Sequence, residues 1–159
     1  MSYHIYTTKG LVLSSRGVGE ADRIYSILTR DLGLIRARAT AVRKAASKLR
    51  GALEPFSLTS VSLVRGKDYW RLTSAELIKK IPKRETLARP LALLEKLVQG
   101  EAPHPELLNA IEENFDSTES KLVSHILYHL GYLKNTDLDL PEKELIKAIN
   151  DGLKHSHLT

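Results

Sequence analysis

The stretch GLIRARATAV, residues 33–42, decides the fold of the first half of the chain, because its side chains alternate in character at every step. One face of this stretch is small and apolar, and the other carries Arg36 and Arg38. The apolar face consists of Ile35, Ala37, Ala39 and Ala41. Successive side chains of a β-strand point to opposite faces, so this period of two predicts a half-buried strand with a basic outer surface.

Four other segments have the same strand character. They cover residues 3–15, 22–30, 56–65 and 68–78. Tight turns are expected at Asp31-Leu32-Gly33 and at Arg65-Gly66-Lys67-Asp68, and residues 43–53 favour a short helix or an ordered basic loop after the third strand. Five strands with an insertion after the third are the plan of an OB-type barrel. A helix through 22–30, or a parallel sheet anywhere, would contradict this prediction.

The second half of the chain has the periodicity of helices. Apolar residues recur every three or four positions in segments 87–99, 105–115, 118–130 and 141–151. Asp116 and Glu119 are spaced like a capping box, and Gly152 is a typical residue to end the last helix. These helices are too short to be stable alone, so we expect them to pack into a bundle.

The two patterns together predict an α+β protein. Its parts are an N-terminal five-stranded OB-fold β-barrel at 1–80, a small all-α helical domain at 86–153 and a polar tail at 154–159.

The composition is that of an ordinary soluble protein, with 159 residues, 42% of them hydrophobic and 27% charged. The absence of cysteine excludes structural disulfides, thiol catalysis and zinc sites built from cysteine. The polar N-terminal sequence MSYHIYTTKG argues against a signal peptide, and no run of 18 apolar residues predicts a membrane span. We therefore expect a cytoplasmic protein with no membrane partner.

Charge is distributed unevenly along the chain. Residues 1–85 carry a net charge of +10, whereas residues 86–159 carry −5. Such polarity indicates that the basic half meets a polyanion, although chance variation of the surface is an alternative.

The basic residues concentrate in one stretch that contains no acidic residue. Its cations are Arg36, Arg38, Arg43, Lys44, Lys48 and Arg50. Several cations in one groove favour a phosphodiester backbone, because each phosphate contact releases condensed counterions. A solvated face is the alternative for this stretch. Further along, Tyr69 or Trp70 is a candidate stacking platform for unpaired bases, and the barrel core is the alternative position for Trp70.

Other motifs are weak. Gly17-Val18-Gly19 lacks the third glycine of a phosphate-binding loop, and a turn is the better interpretation. His125 and His129 lie one helical turn apart, but no third ligand is evident, so we expect no metal site. No nucleophile, base and carboxylate are marked out together. The sequence therefore predicts neither an enzyme nor a cofactor.

An ordered series of short motifs resembles the RecO family of bacterial DNA recombination and repair proteins. The series is Gly10-Leu11-Val12-Leu13, Gly19-Glu20-Ala21-Asp22-Arg23-Ile24, Leu28-Thr29-Arg30, Gly33-Leu34-Ile35-Arg36, Gly51-Ala52-Leu53-Glu54-Pro55-Phe56-Ser57, Leu63, Arg65-Gly66, Trp70-Arg71-Leu72 and Ala75-Glu76. The helical half is similar more loosely, through Arg89-Pro90-Leu91-Ala92-Leu93-Leu94 and Leu130-Gly131-Tyr132.

The resemblance implies an N-terminal OB fold, a helical C-terminal domain and a role as a nucleoid-associated recombination mediator. RecO-like proteins bind single- and double-stranded DNA, anneal complementary strands and work with the partner RecR. They also help to load the recombinase onto DNA coated by single-stranded DNA-binding protein, whose acidic C-terminal tail they contact. Carried over by position, the DNA-binding residues are Arg36, Arg38, Arg43, Lys44, Lys48, Arg50 and Arg71.

The chain also departs from the family pattern. Many members carry a four-cysteine zinc motif in the helical domain, and this sequence has no cysteine. We expect a short variant without zinc, which keeps DNA binding and has a reduced partner surface. An RNA-binding OB module and a structural interaction protein are the two alternative functions.

Overall fold

The computed structural model describes residues 3–40, 48–82, 85–98 and 100–155. The chain divides into two compact units. The first, called the barrel unit below, comprises Met1–Lys83 with Gln99–Pro105. The second, called the helical unit, comprises Arg84–Val98 with Glu106–Thr159.

In the described part of the barrel unit there are five β-strands and one short helix. The elements are β1 (Ile5–Val18), β2 (Asp22–Thr29), β3 (Gly33–Ala39), α1 (Lys48–Ala52), β4 (Ser57–Val64) and β5 (Trp70–Lys80). The strands form a closed barrel in the order β1-β2-β3-β5-β4. The five strands therefore lie where the sequence pattern predicts them, with ends that differ by a few residues, and 22–30 is not a helix.

One pairing contradicts the expectation that no strands run parallel. β3 and β5 pair in parallel, with Ala37 opposite Trp70 and Arg38 opposite Arg71. The reason is the strand count, because an odd number of strands cannot alternate in direction all the way around a closed ring. The other four pairings are antiparallel.

The barrel core follows the alternation predicted for β3. Ile35, Ala37 and Ala39 are buried, whereas Arg36 between them is exposed. Leu53 and residues from the other four strands complete this core, namely Val12, Tyr25, Ile27, Val61, Leu63, Trp70 and Leu72. Burial of these apolar side chains is the main source of stability for such a barrel.

The segment 100–105 belongs to the barrel unit, which the sequence pattern did not predict. Glu101 accepts hydrogen bonds from Nη1 of Arg65 (2.8 Å) and from Nε1 of Trp70 (3.0 Å). Gly33 has a φ of 73°, and a Cβ atom there would lie 2.3 Å from the carbonyl oxygen of Ala102. Glycine at this turn therefore permits both the left-handed backbone and the close approach of the segment.

The residues described for the helical unit form four α-helices and a 3₁₀-helix. They are α2 (Glu85–Leu97), α3 (Pro105–Glu113), α4 (Glu119–His129), the 3₁₀-helix (Asn135–Asp139) and α5 (Glu142–His155). An apolar cluster of Leu97, Leu127, Leu145 and Ile149 packs α2, α4 and α5 together. Among the residues that the structure describes, no helix is both long and apolar enough to cross a bilayer.

Two residues or pairs predicted to mark helix ends do not do so. The N-cap of α4 is Thr118, whose side chain accepts from the backbone N–H of Lys121, so the capping box expected at Asp116 and Glu119 is wrong. Gly152 lies inside α5 and does not end it. A Cβ atom at Gly152 would approach the carbonyl oxygen of Tyr132 to 3.0 Å, so this glycine serves close packing.

Candidate nucleic-acid interface

Three arginines share one row across the outside of the barrel. The strand register aligns Arg16 with Ile24, Ile24 with Arg38, and Arg38 with Arg71. Residues paired across neighbouring strands project to the same face, and adjacent strands lie about 4.8 Å apart. The row therefore places Arg38 and Arg71 on adjacent strands of the outer face, with Arg16 on the far side of Ile24 in the same row. We call this surface, together with Arg36, the arginine face.

Arg36 lies in the next row of the arginine face, where it pairs with Ser26 of β2. It is two residues from Arg38 on the same strand, so their Cα atoms are about 7 Å apart along β3. Arg36 is exposed and forms no ion pair with the other residues of the described ranges. Its guanidinium is available to a ligand.

Arg38 is neutralised by an acidic residue that the sequence pattern did not single out. Its Nε (3.1 Å) and Nη2 (2.8 Å) both donate to Oδ2 of Asp22. The side chains remain 44% and 23% exposed, respectively. The signal was present, because Asp22 lies two residues before Ile24, the partner of Arg38. Recognising it required the register of β2 against β3.

Aromatic side chains lie beside the arginine row. The guanidinium of Arg71 is 5.8 Å from the ring centroid of Tyr3, which is 66% exposed. Arg16 donates from Nη2 to the hydroxyl of Tyr69 over 3.1 Å, which ties the end of β1 to the loop before β5. An exposed tyrosine next to an arginine, such as Tyr3 beside Arg71, is suited to unpaired bases, which stack on aromatic rings.

Trp70 is a core residue and not a stacking platform. Only 5% of it is exposed, and it belongs to the apolar cluster inside the barrel. The guanidinium of Arg65 covers its ring at 4.6 Å, and Tyr6 contacts it edge-on at 5.3 Å. The alternative of base stacking on Trp70 is therefore wrong.

The remaining predicted cations precede α1 in the sequence or belong to it. Arg43 and Lys44 lie outside the described residues, and Lys48 is the first residue of α1. Arg50, in the last turn of α1, lines a separate cleft at one end of the barrel. We call it the mouth cleft, and its lining residues are Ser15, Arg23, Tyr25, Arg50, Leu53, Glu54 and Pro55.

The histidine pair of the helical unit has one perturbed member. The pKa of His125 is lowered, chiefly by burial and then by the nearby charges of His129 and Lys121. Within the described ranges, no group of three or more histidine, cysteine, aspartate or glutamate side chains is placed to hold a metal ion.

Comparison with known proteins identifies the family. The model of the family described as "Recombination protein O N terminal" matches residues 1–81, which include all of the barrel strands and the arginine face. The chain belongs to the RecO family. Its N-terminal match covers the region where the sequence motifs resemble that family.

Three curated relatives of this RecO-family chain extend the similarity into the helical unit. All carry the name "DNA repair protein RecO". The protein of Synechococcus sp. (strain JA-2-3B'a(2-13)) is 34% identical over 154 residues, covering 82% of this chain and 54% of its own length. That of Dehalococcoides mccartyi (strain ATCC BAA-2266 / KCTC 15142 / 195) is 33% identical over 145 residues, covering 81% and 57%. That of Gloeobacter violaceus is 33% identical over 142 residues, covering 83% and 54%. This chain thus spans about half the length of these relatives.

Proposed function

We propose that this RecO-family chain binds single- and double-stranded DNA through the arginine face and acts as a recombination mediator in DNA repair. The observation that carries the proposal is the juxtaposition of Arg16, Arg36, Arg38 and Arg71 on one outer surface of the barrel. Such a surface neutralises phosphates without reading base edges, so binding is independent of sequence. The name of the relatives supports the assignment to DNA repair.

The position of the arginine face supports an OB-type assignment for the barrel. OB folds bind oligonucleotides on the face of strands 2 and 3 and on the loops between strands 1 and 2 and between strands 4 and 5. Arg36 and Arg38 lie on β3. The bond from Arg16 to Tyr69 connects the end of β1 to the loop between β4 and β5. The positions of Arg16, Arg36 and Arg38 match this binding region of OB folds, which supports the proposal.

The rest of the mediator role rests on the family. We propose that the protein promotes strand annealing and recombinase loading without being an enzyme. Its proposed partners are a RecR-like protein and the acidic tail of single-stranded DNA-binding protein. Residues 1–80 form the nucleic-acid-binding domain, and residues 86–153 form a helical domain that serves partners. The net charge of −5 over residues 86–159 makes that half a poor surface for DNA.

The test is the salt dependence of binding to a fluorescent single-stranded oligonucleotide. Replacing Arg36 and Arg71 together by glutamine removes two exposed cations, so the slope of log K against log salt becomes shallower by about 1.4. The control pair is Arg30→Gln with Lys79→Gln. Both control residues are exposed and lie away from the arginine face along the strands, because Arg30 precedes the start of β3 and Lys79 lies eight residues after Arg71 on β5. The control variant loses the same charge and keeps the original slope.

Equal slopes for the two variants would contradict the arginine face as the DNA surface. The two alternative functions give different results. An RNA-binding module prefers RNA over DNA of equal length in competition, whereas a structural interaction protein binds neither measurably at physiological salt. A strand-annealing assay with and without single-stranded DNA-binding protein then tests the mediator role.

A further inference from the structure

The mouth cleft is a built concavity that the arginine face does not use. Its volume is about 510 Å³, which is within the range of sites for small ligands, and the cleft is open to solvent on one side. Strand alternation explains its lining, because Ser15 pairs with Tyr25 across β1 and β2, and both face the interior of the barrel. Leu53 and Pro55, which follow α1, supply an apolar wall.

Neither arginine of the mouth cleft is paired with a carboxylate of the described residues. Arg23 is oriented by Ser15, whose Oγ accepts from Nε (3.1 Å) and Nη2 (2.9 Å) of the guanidinium. A hydroxyl holds the group in place without neutralising it. Within the described ranges, neither Arg23 nor Arg50 forms an ion pair with a carboxylate. This distinguishes them from Arg38, which is bound to Asp22.

The one carboxylate in the lining is already engaged. Glu54 forms a salt bridge with Lys80, so it does not cancel the charge of the two arginines. The cleft therefore presents two guanidinium groups and two hydroxyl groups. This combination of donors is suited to the oxygens of a phosphate.

Tyr25 contributes a protonated phenol to the same wall. Burial raises its pKa, and the nearby charges of Arg23 and Arg50 offset part of that effect. Both guanidinium groups thus lie near enough to act on this one phenol. At neutral pH the hydroxyl keeps its proton and can donate a hydrogen bond to an anion.

From this geometry we propose that the mouth cleft binds the phosphate group of a nucleotide between Arg23 and Arg50, with Ser15 and Tyr25 as additional donors. Leu53 and Pro55 lie where the sugar or base would make apolar contact. This inference rests on the proposed function in one respect, because it takes the nucleotide to be part of a nucleic-acid strand.

The experiment follows the tyrosine ring carbons by NMR in the full chain labelled at the ¹³Cζ position. The resonance of Tyr25 is assigned from the Tyr25→Phe variant, because the chain has six tyrosines. Inorganic phosphate, thymidine monophosphate, thymidine and an oligothymidylate are titrated separately. We expect the first two and the oligothymidylate to shift the Tyr25 signal, and thymidine to leave it unchanged.

Variants then assign the effect to the cleft. Arg23→Gln should weaken the binding of thymidine monophosphate at least about tenfold, since it removes a charge-assisted contact. Arg23→Lys, which keeps the charge but loses the fork geometry, should weaken it less. The control, Arg30→Gln, removes an exposed arginine outside the cleft and should leave this affinity unchanged.

Three results would overturn the inference. The first is that thymidine monophosphate does not shift the Tyr25 signal. The second is that inorganic phosphate binds but thymidine monophosphate does not. The third is that Arg23→Gln and Arg30→Gln lose the same affinity for thymidine monophosphate. Failure of the proposed function is distinguishable from all three. In that case thymidine monophosphate binds in the cleft, but the oligothymidylate does not shift the Tyr25 signal. The Arg36→Gln/Arg71→Gln variant then has the same slope of log K against log salt as the wild type.

Discussion

Asp22→Asn should strengthen DNA binding, because it releases Arg38 from the ion pair that now neutralises it. Asp22 accepts both hydrogen bonds on a single oxygen, Oδ2. One additional phosphate contact on single-stranded DNA makes the slope of log K against log salt steeper by about 0.7. Relative to 1 M salt, this corresponds to a gain in affinity of about fivefold at 0.1 M and about fifteenfold at 0.02 M.

The substitution should leave the fold intact. Both partners of the pair are partly exposed, with 44% of the Arg38 side chain and 23% of the Asp22 side chain accessible to solvent. Ion pairs of this kind contribute about 0.2–1 kcal/mol to the free energy of unfolding, which is a minor loss for a barrel with this core. Urea denaturation of the variant provides the check.

The assay is fluorescence anisotropy of a labelled single strand at four or more salt concentrations. Asp31→Asn is the matched control, because it changes the net charge equally and Asn can still accept the hydrogen bond from Thr8. Asp31 follows β2 at the other end of the barrel, at least about 17 Å along the strand from Arg38. This exceeds the screening length of about 10 Å at 0.1 M salt. An unchanged slope in Asp22→Asn, or an equal gain in Asp31→Asn, would refute the reasoning.

Three further predictions concern stability. Gly33→Ala should lower the free energy of unfolding by about 2 kcal/mol more than Gly100→Ala. Both glycines have φ near 74°, but only Gly33 lies against the backbone of the 100–105 segment. Equal losses in urea denaturation would exclude this contact. Glu101→Ala should lower the free energy of unfolding by about 1 kcal/mol. It should also shift the fluorescence of Trp70, the one tryptophan of the chain, to longer wavelength. An unshifted spectrum would contradict the hydrogen bond from the indole to Glu101. Because the pKa of His125 is lowered in the folded chain, the unfolded chain binds more protons than the folded chain below about pH 6.5. The free energy of unfolding should therefore fall between pH 7.5 and pH 5.5 more in the wild type than in His125→Gln. Equal losses in the two proteins would contradict this prediction.

The third strand could be predicted because it is half buried. Arg36 and Arg38 face outward and Ile35 and Ala37 face inward, as a period of two requires. Local pattern is sufficient for this, since side-chain alternation is a property of the strand itself. The same holds for the helices, whose apolar stripes mark their buried faces.

Contacts between distant parts of the chain could not be predicted in this way. The partner of Arg38 depends on the register of β2 against β3, and a shift of one residue would turn Asp22 to the other face. The attachment of Glu101 to Arg65 and Trp70 joins residues more than 30 positions apart. Neither contact leaves a periodic signal in the sequence.

Asp22 and Arg23 show how one dipeptide divides the charge of the barrel between two surfaces. Because successive residues of β2 face opposite sides, Asp22 reaches the outer face and neutralises Arg38, whereas Arg23 turns inward and keeps its charge in the mouth cleft. A count of cations along 36–50 therefore includes Arg38, which is paired with Asp22, and Arg50, which lines the cleft, and it omits Arg23, the other arginine of the cleft. It follows that substitutions at the two positions should have opposite effects. Asp22→Asn should steepen the salt dependence of oligonucleotide binding, and Arg23→Gln should weaken the binding of a single nucleotide.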